Sequence, residues 1–238
     1  MTEYPGDCIQ SLTTTWWEED TSKVISRGSV VWTYVQFFSE VPFELVPKRA
    51  DSERHDTATL TARPLYAGGR RSNMEDLPVA ALPRLAGADC YIVNRAKRRP
   101  CLVLGGVNRK EVERQLTSGM AKSASHEFLM VAPYFSVKQE GRSGYNPAFI
   151  ERIMHAEYSR FFWEFLPGDW GHESILRFDL MQPIGFHHQA FEHTGYRLSE
   201  DALRLTDEWL GWVLYDRDGD GLRSFRDLMA EYSTNPPT

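Results

Sequence analysis

The chain has 238 residues, of which 42% are hydrophobic and 13% aromatic, and its formal net charge is −6 at pH 7. This composition supplies ample material for a folded core and excludes a globally disordered protein. The negative charge argues against a protein that coats nucleic acid non-specifically, but it is compatible with a local basic site. The three cysteines, Cys8, Cys90 and Cys101, contain no Cys-x-x-Cys pair and form no disulfide framework.

The first 22 residues are polar and acidic apart from Trp16 and Trp17, and we interpret them as a tail that docks through these two indoles. This segment lacks the basic start and apolar run of a secretory signal peptide. Apolar runs elsewhere are far shorter than the roughly 20 residues that a membrane helix needs. We therefore expect a cytoplasmic protein in a reducing compartment that does not bind membranes.

The first half of the chain predicts short strands separated by irregular segments. Residues 27–38, "RGSVVWTYVQFF", are β-branched and aromatic, as is typical of a strand. Residues 42–89 are rich in Pro, Gly, Arg and Asp, which predicts a long excursion with one or two short strands at "TATLTA" and "LPVAAL". Residues 89–106 predict two short strands around a basic turn that ends at Pro100. Residues 109–116 predict one or two helical turns.

The middle of the chain predicts another strand and then a helix. The sequence of residues 126–137, "HEFLMVAPYFSV", predicts a buried strand that is interrupted at Pro133. Residues 146–167 have helical spacing of apolar side chains. Asn146 followed by Pro147 is a favourable helix start, because Asn caps exposed N–H groups and Pro has none to satisfy.

The last third predicts a strand followed by the clearest helix. Residues 173–184 alternate between two sets of side chains, which indicates a strand. Residues 198–215 have a wide apolar face, with Ser199 as the N-cap and acidic residues in the first turn. Several strands with helices late in the chain predict an α+β, mainly β domain, built as a small antiparallel barrel or sheet with packed helices.

The order of these segments resembles the MazF/PemK family of toxin ribonucleases. The family has an opening "RGDIVWV" strand, a basic Arg-Pro strand, a "VIVAPLT" strand, a Ser…Asp-x-Ile strand and a closing Gly, Leu-Ser and helix. The matching pieces, in the family's order, are "RGSVVWTYV" (27–35), "KRRPCLVL" (97–104), "FLMVAPYFS" (128–136), "ESILRFDLMQPI" (173–184) and "GYRLSEDALRLTDEWLGWVL" (195–214).

This resemblance implies a compact SH3-like or CcdB-like antiparallel barrel with a C-terminal helix and peripheral helices. It implies a prokaryotic homodimer that cleaves single-stranded RNA without metal or another cofactor and is silenced by an antitoxin protein. The corresponding domains are an N-terminal tail (1–22), one MazF/PemK-like domain (23–215) and a C-terminal loop with a helix or tail (216–238). The domain carries an insertion at about residues 39–95, where the family has a short loop.

Arg99 aligns with the arginine that the family uses in catalysis. Cleavage of RNA needs stabilisation of a phosphorane, and a guanidinium matches phosphate oxygens well. The family's threonine position is Phe135 here, so Ser136, one residue further on, is the second catalytic candidate. The alternatives are that the basic residues form a solvated turn or edge and that Ser136 is an ordinary serine at a strand end. We predict that phosphate is attracted by three further residues, Arg27, Lys97 and Arg98.

Residues 216–227, "DRDGDGLRSFRD", match the pattern of an EF-hand calcium loop. Arg223 at the eighth position, an aspartate at the twelfth and the lack of a second hand in the sequence count against calcium sensing. The alternative is an Asp-Gly turn between two helices, with solvated acids. The ligands that the pattern predicts for Ca²⁺ or Mg²⁺ are Asp216, Asp218, Asp220, Leu222 through its carbonyl, Ser224 and Asp227.

Two further functions are compatible with the sequence. One is a non-catalytic barrel of the same fold that binds protein or nucleic acid, which the long insertion and the missing threonine favour. The other is a divalent-cation-binding protein, which only residues 216–227 favour.

Overall fold

The computed structural model describes residues 6–22, 24–38, 40–48, 59–65, 90–107, 127–138, 144–169 and 171–234. The helical turns predicted for 109–116 and the strand at "LPVAAL" lie outside these residues. The described helices are α1 (Pro147–Met154), α2 (Glu200–Tyr215) and α3 (Asp220–Thr234). The described strands are β1 (Trp17–Glu19), β2 (Ser29–Gln36), β3 (Phe43–Lys48), β4 (Thr59–Pro64), β5 (Tyr91–Val93), β6 (Ala96–Val107), β7 (Phe128–Ser136), β8 (Phe161–Phe165), β9 (Glu173–Arg177), β10 (Gln182–Gly185) and β11 (Phe191–Leu198).

The chain forms two units, one of residues 1–34 with 98–238 and one of residues 35–97. The smaller unit contains a three-stranded antiparallel sheet in the order β4-β3-β5. Arg63 on β4 donates to Glu44 on β3 at 2.8 Å, which links the two longer strands of that sheet.

The larger sheet has the strand order β1-β11-β2-β6-β7-β9-β8, and β10 pairs with the first half of β7. The pairings of β1 with β11, β11 with β2, β6 with β7, β7 with β9 and β9 with β8 are antiparallel. With three helices beside this sheet, the fold is α+β and mainly β. Among the described strands no pairing joins β1 to β8, so a closed SH3-like barrel stays a prediction.

The strand β7 runs without a break through Pro133, contrary to the predicted interruption. On one side, Pro133 pairs with Cys101 of β6. On the other side, β10 pairs with β7 up to Val131, and β9 pairs with it from Tyr134 onward. On the side away from β6, Pro133 therefore lies at the change from one partner strand to the next, a position where a proline is tolerated in a sheet.

The strand β6 begins at Ala96, so "KRRP" is part of a strand and not the predicted basic turn. Pro100 is buried within it. Because Pro disfavours helical geometry in the preceding residue, it favours the extended conformation at Arg99.

The predicted helix over 146–167 is wrong in its second half. Asn146 caps α1 by accepting from the Ala148 N–H at 2.9 Å, but the helix ends at Met154. Ala156 then has a positive φ of 55°, which turns the chain toward β8. The sequence of β8, "FFWEF", is aromatic, and such side chains pack well on a pleated surface. The predicted strand over 173–184 is likewise divided, by a 3-10 turn at Phe178–Leu180.

Two apolar clusters cover opposite faces of β8 and β9. One contains Phe162 and Leu176 and packs against α2 and α3 through residues such as Trp209. The other contains Trp163 and Ile175 and packs against α1. Adjacent strand residues thus alternate between two cores, as the pleat requires.

The helix α2 is confirmed at its predicted start and end. Ser199 is the N-cap and accepts from the Ala202 N–H at 3.2 Å, which satisfies one of the free donors of the first turn. Among the described residues, we find no helix whose length and apolar character would suit a membrane span.

The N-terminal segment docks onto the end of β8 through the indoles of Trp16 and Trp17 and through Gln10. The indole of Trp16 donates to Glu164 at 2.8 Å, and that of Trp17 donates to the Phe165 carbonyl at 2.8 Å. Gln10 accepts from the Phe165 N–H at 2.7 Å and donates to its carbonyl at 3.3 Å. These bonds fix residues 6–22 as an integral part of the larger unit.

Candidate functional site

Arg99 lies against Phe135 of the neighbouring strand, with its guanidinium carbon 3.8 Å from the ring centroid. The side chain is half-buried, and its Nε is buried with no hydrogen-bond partner among the described residues. Within the described part of the chain, no carboxylate forms an ion pair with Arg99. A half-buried cation without a counter-charge is the principal candidate for an anion-binding group.

The burial of Arg99 also affects its pKa. Burial lowers the pKa of Arg99, while the nearby Cys101 and Tyr145 oppose that change. An arginine stays cationic in proteins at neutral pH because its ordinary pKa is above 12. The lowered pKa therefore reflects an incompletely solvated positive charge, which an incoming anion would stabilise.

Arg177 brings a second guanidinium to the same ring. In the β7–β9 pairing Ile175 lies opposite Phe135, and Arg177, two residues further on, projects from the same face of the sheet. Its guanidinium carbon lies 5.4 Å from the Phe135 centroid and 4.9 Å from that of Phe161. Two guanidiniums thus border a single aromatic ring.

Arg177 differs from Arg99 in having a carboxylate partner. Asp179 accepts from its Nε at 2.7 Å and from its Nη2 at 2.6 Å, a bidentate pair. The hydrogen bond to Asp179 raises the pKa of Arg177, and the phenol of Tyr145 contributes in the same direction. Tyr145 is thus close to both guanidiniums, and it is held by ring packing against Phe149 on α1, 6.2 Å away.

Ser136 is not brought together with Arg99. The β7–β9 pairing continues without a bulge from Phe135 to Ser136, which lies opposite Ser174. Consecutive side chains of a strand point to opposite faces, so Ser136 and the Phe135–Arg99 pair lie on different faces of the sheet. The hydroxyl of Ser136 donates to the Lys138 carbonyl at 2.6 Å.

The other predicted phosphate-binding residues lie elsewhere. Arg98 stacks on Trp32, 4.7 Å from the ring centroid, and donates to Glu192 of β11. Lys97 is exposed. Arg27 pairs with Asp207 of α2. Arg27 also lines a cavity of about 630 Å³ in the larger unit, together with Ile25, Ser26, Val103, Gly105, Gly106, Glu127, Phe128, Leu129 and Phe186.

The predicted calcium loop is a short connection between two helices. Asp216 ends α2 in the left-handed conformation, with φ 54°, and α3 already begins at Asp220. Asp218 is engaged by Arg226 at 2.6 Å and by Arg223 at 3.2 Å. Positions five to twelve of the pattern are thus helical and do not wrap around an ion.

Three further predicted ligands lie on α3. The buried Leu222 donates its N–H to Glu208 of α2 at 2.8 Å. Ser224 donates to the Asp220 carbonyl at 2.8 Å, and Asp227 is exposed on the helix surface. In the part of the chain that the structure describes, we find no group of three or more His, Cys, Asp or Glu placed to hold a metal. This geometry gives no support to the cation site that the pattern predicts, and only a binding measurement tests it.

Sequence reasoning did not select Arg177, Asp179 or Tyr145 for the site. The alternation of Ile175, Arg177 and Asp179 in the sequence could have indicated Arg177, because residues two apart in a strand share a face and Ile175 is buried. Tyr145 had no comparable signal, since its position depends on how α1 packs onto the sheet.

Comparison of the chain with protein-family models, with curated proteins and with solved structures found no match. The resemblance to the MazF/PemK family therefore depends on the five sequence segments named above.

Proposed function

We propose that the protein is an endoribonuclease of the MazF/PemK kind that binds single-stranded RNA beside Phe135 and cleaves it. The observation that carries this proposal is Arg99, a half-buried guanidinium with no carboxylate partner among the described residues. Its position directly before Pro100 coincides with the arginine that the family uses in catalysis.

The chemistry of the proposed cleavage is an attack of the ribose 2′-oxygen on the adjacent phosphorus. The new O2′–P bond forms while the P–O5′ bond breaks, which leaves a cyclic phosphate on one product. The 2′-hydroxyl loses one proton, and the departing 5′-oxygen gains one. Negative charge develops on the phosphate oxygens in between, where a fixed guanidinium stabilises it more than it stabilises the starting diester.

The test is incubation of the purified protein with single-stranded RNA in EDTA, with analysis of the product ends. We expect fragments with cyclic phosphate ends from the wild type, and a loss of on the order of 100-fold or more in rate for Arg99→Ala. Arg204→Ala is the matched control, because Arg204 is an exposed arginine on α2 that pairs with Asp201. Intact RNA with the wild type across varied sequences would refute the enzymatic function.

A second candidate is a non-catalytic protein that binds single-stranded RNA through the same residues. Phe135 occupies the family's threonine position, and the hydroxyl of Ser136 lies on the other face of the sheet, which favours this alternative. An RNA mobility shift that depends on Arg99, without any cleavage, would support it and exclude the first candidate.

The partners and location that we propose follow from the resemblance. The proposed partners are a small antitoxin protein and a second copy of the chain. The proposed location is the cytoplasm of a prokaryote. An antitoxin that acts at this site must cover Arg99, so its binding should protect that residue from arginine-specific modification. Unchanged modification of Arg99 in the complex would place the antitoxin elsewhere.

A further inference from the structure

Arg177 retains hydrogen-bonding capacity beyond its ion pair. A guanidinium has five N–H donors, and Asp179 accepts from Nε and from Nη2. The phenol of Tyr145 is close enough to take one of the three remaining N–H groups, so two are left for another acceptor. The bidentate pair fixes the plane of the guanidinium, so these donors have a defined direction.

The charges around Phe135 are unbalanced. Arg99 and Arg177 contribute two positive charges, and Asp179 is the only carboxylate among the described residues that pairs with either of them. Both guanidiniums are partly withdrawn from water, where like charges repel more strongly than at an open surface. An anion placed between them would remove this repulsion and satisfy the unused donors.

We propose that Arg177 is a second phosphate-binding residue, which acts with Arg99 to hold the RNA backbone alongside Phe135. This inference rests on the proposed RNA binding and extends it by naming Arg177 and the role of Asp179. Asp179 is the positioning residue, because it orients the guanidinium and leaves donors of Nη1 and Nη2 for the phosphate. The ring of Phe135 contacts both guanidiniums, and the ring of Phe161 contacts that of Arg177.

The alternative is that Arg177 only packs on the aromatic rings and pairs with Asp179. The two roles differ in their dependence on salt, because each phosphate contact releases condensed counterions and contributes about 0.7 to the slope of log K against log salt for single strands. A purely structural arginine contributes nothing to this slope.

The experiment measures the affinity of the full chain for a fluorescent 2′-O-methyl oligoribonucleotide over a range of salt concentrations. This probe carries the RNA phosphates but lacks the 2′-hydroxyl, so it is bound without being cleaved. The main variant is the double substitution Arg177→Gln with Asp179→Asn, which removes both partners and leaves the net charge unchanged. The matched control is Arg204→Gln with Asp201→Asn, a second arginine–aspartate pair, on α2.

We expect the Arg177 double variant to bind about tenfold more weakly, with a slope smaller by about 0.7. The control pair should leave both quantities unchanged. An unchanged slope in a folded Arg177 double variant would overturn this inference while the wild type still binds. No binding by the wild type would overturn the proposed function, and the inference with it.

A third variant keeps the test decisive if the double variant does not fold. Arg177→Lys preserves the cation above the rings but loses the planar fork. We expect it to retain the slope and to bind several-fold more weakly, since a lysine keeps the charge and offers poorer geometry. Wild-type affinity in this variant would overturn the inference.

Discussion

Glu164 is a fully buried carboxylic acid in the main core, and its protonation sets a pH dependence of stability. Its Oε1 accepts from the indole of Trp16, and the phenol of Tyr134 lies beside the same carboxyl group. Burial raises the pKa of Glu164 to about 8, against the opposing effects of the neighbouring Tyr134 phenol and of the Trp16 hydrogen bond. At neutral pH the folded protein therefore holds this residue in its protonated form.

The sign of the resulting pH dependence follows from the raised pKa. Between the ordinary pKa of an exposed glutamate and about 8, the folded state binds a proton that the unfolded state has released. The contribution of Glu164 to stability is thus fully present below the unfolded pKa. It declines as the pH rises toward the folded value.

We expect Glu164→Gln to remove this decline, because the amide keeps the acceptor for Trp16 and does not ionise. The free energy of unfolding of the variant, relative to the wild type, should increase between about pH 5 and about pH 8, by up to about 4 kcal/mol. Thermal unfolding followed by circular dichroism measures the difference. Glu200→Gln, at an exposed position on α2, should show no such trend, and a constant difference for Glu164→Gln would contradict the prediction.

The candidate site could be predicted only in part from the sequence. Arg99 could be selected from the sequence because it matches the arginine of the MazF/PemK resemblance and because Pro100 biases it toward an extended conformation. The pairing of Arg99 with Phe135 depends on which strands are neighbours, which a single sequence does not give. Ser136 was chosen by its closeness in sequence to the family's threonine position, yet a shift of one residue changes the face of the sheet.

At the scale of elements, the connection between α2 and α3 is stabilised by Asp218. This carboxylate receives hydrogen bonds from Arg223 and Arg226, and Arg226 also stacks on Trp212 of α2, with its guanidinium carbon 4.0 Å from the ring centroid. Burial opposes the ionisation of Asp218, but the bonds from the two arginines outweigh it and lower the pKa of this group. A lowered pKa contributes stability above the unfolded pKa, and this contribution is lost as the pH falls through the folded value.

We expect Asp218→Asn to lower the free energy of unfolding at pH 7 by about 1 kcal/mol. The difference from the wild type should disappear in acid, where Asp218 itself becomes protonated. Urea titrations at pH 7 and in acid measure both values. Asp227→Asn is the matched control on α3, and an equal loss in the two variants would show that the arginine contacts are not the cause.

The structure of the connection between α2 and α3 also predicts how the protein responds to calcium. Asp218 can ligate an ion only after it leaves both arginines, and the carbonyl of Leu222 lies within a helix. We therefore expect millimolar Ca²⁺ or Mg²⁺ to leave the melting temperature unchanged. A cation-dependent increase that Asp218→Asn abolishes would establish the loop as a binding site.

Strands and helices were predictable where local pattern and tertiary packing agree. The helix α2 has a cap, acidic residues in its first turn and one apolar face, so its bounds could be predicted. The aromatic segment of β8 has no decisive period in the sequence, and its pairing with β9 determines its conformation. The predicted interruption of β7 at Pro133 is wrong, because a single sequence does not show which strands lie on either side of this residue.

At the scale of the whole molecule, the unit of residues 35–97 is predicted to be separable from the larger unit. The strands β2 and β6 are neighbours in the main sheet, and the Phe37 N–H donates to the Arg95 carbonyl at 2.9 Å. Replacing residues 38–94 by a short turn would therefore connect two strand ends that are already close. We expect the shortened protein to unfold cooperatively and to bind RNA with an unchanged salt slope. A loss of the folded state on this replacement would show that the larger unit requires the excised residues.

The docking of the N-terminal segment also constrains how the chain folds during synthesis. Trp17 pairs with Leu198, and β2 pairs with β11, so the first strands have partners more than 150 residues away. The ribosome must synthesise most of the chain before these pairs can form. Until then the edge of β2 that pairs with β11 has free backbone hydrogen-bonding groups, which other chains can bind. The order of synthesis therefore delays completion of the core. We expect a nascent chain stopped before Phe191 to aggregate more readily than the full chain, because β2 then lacks its partner β11.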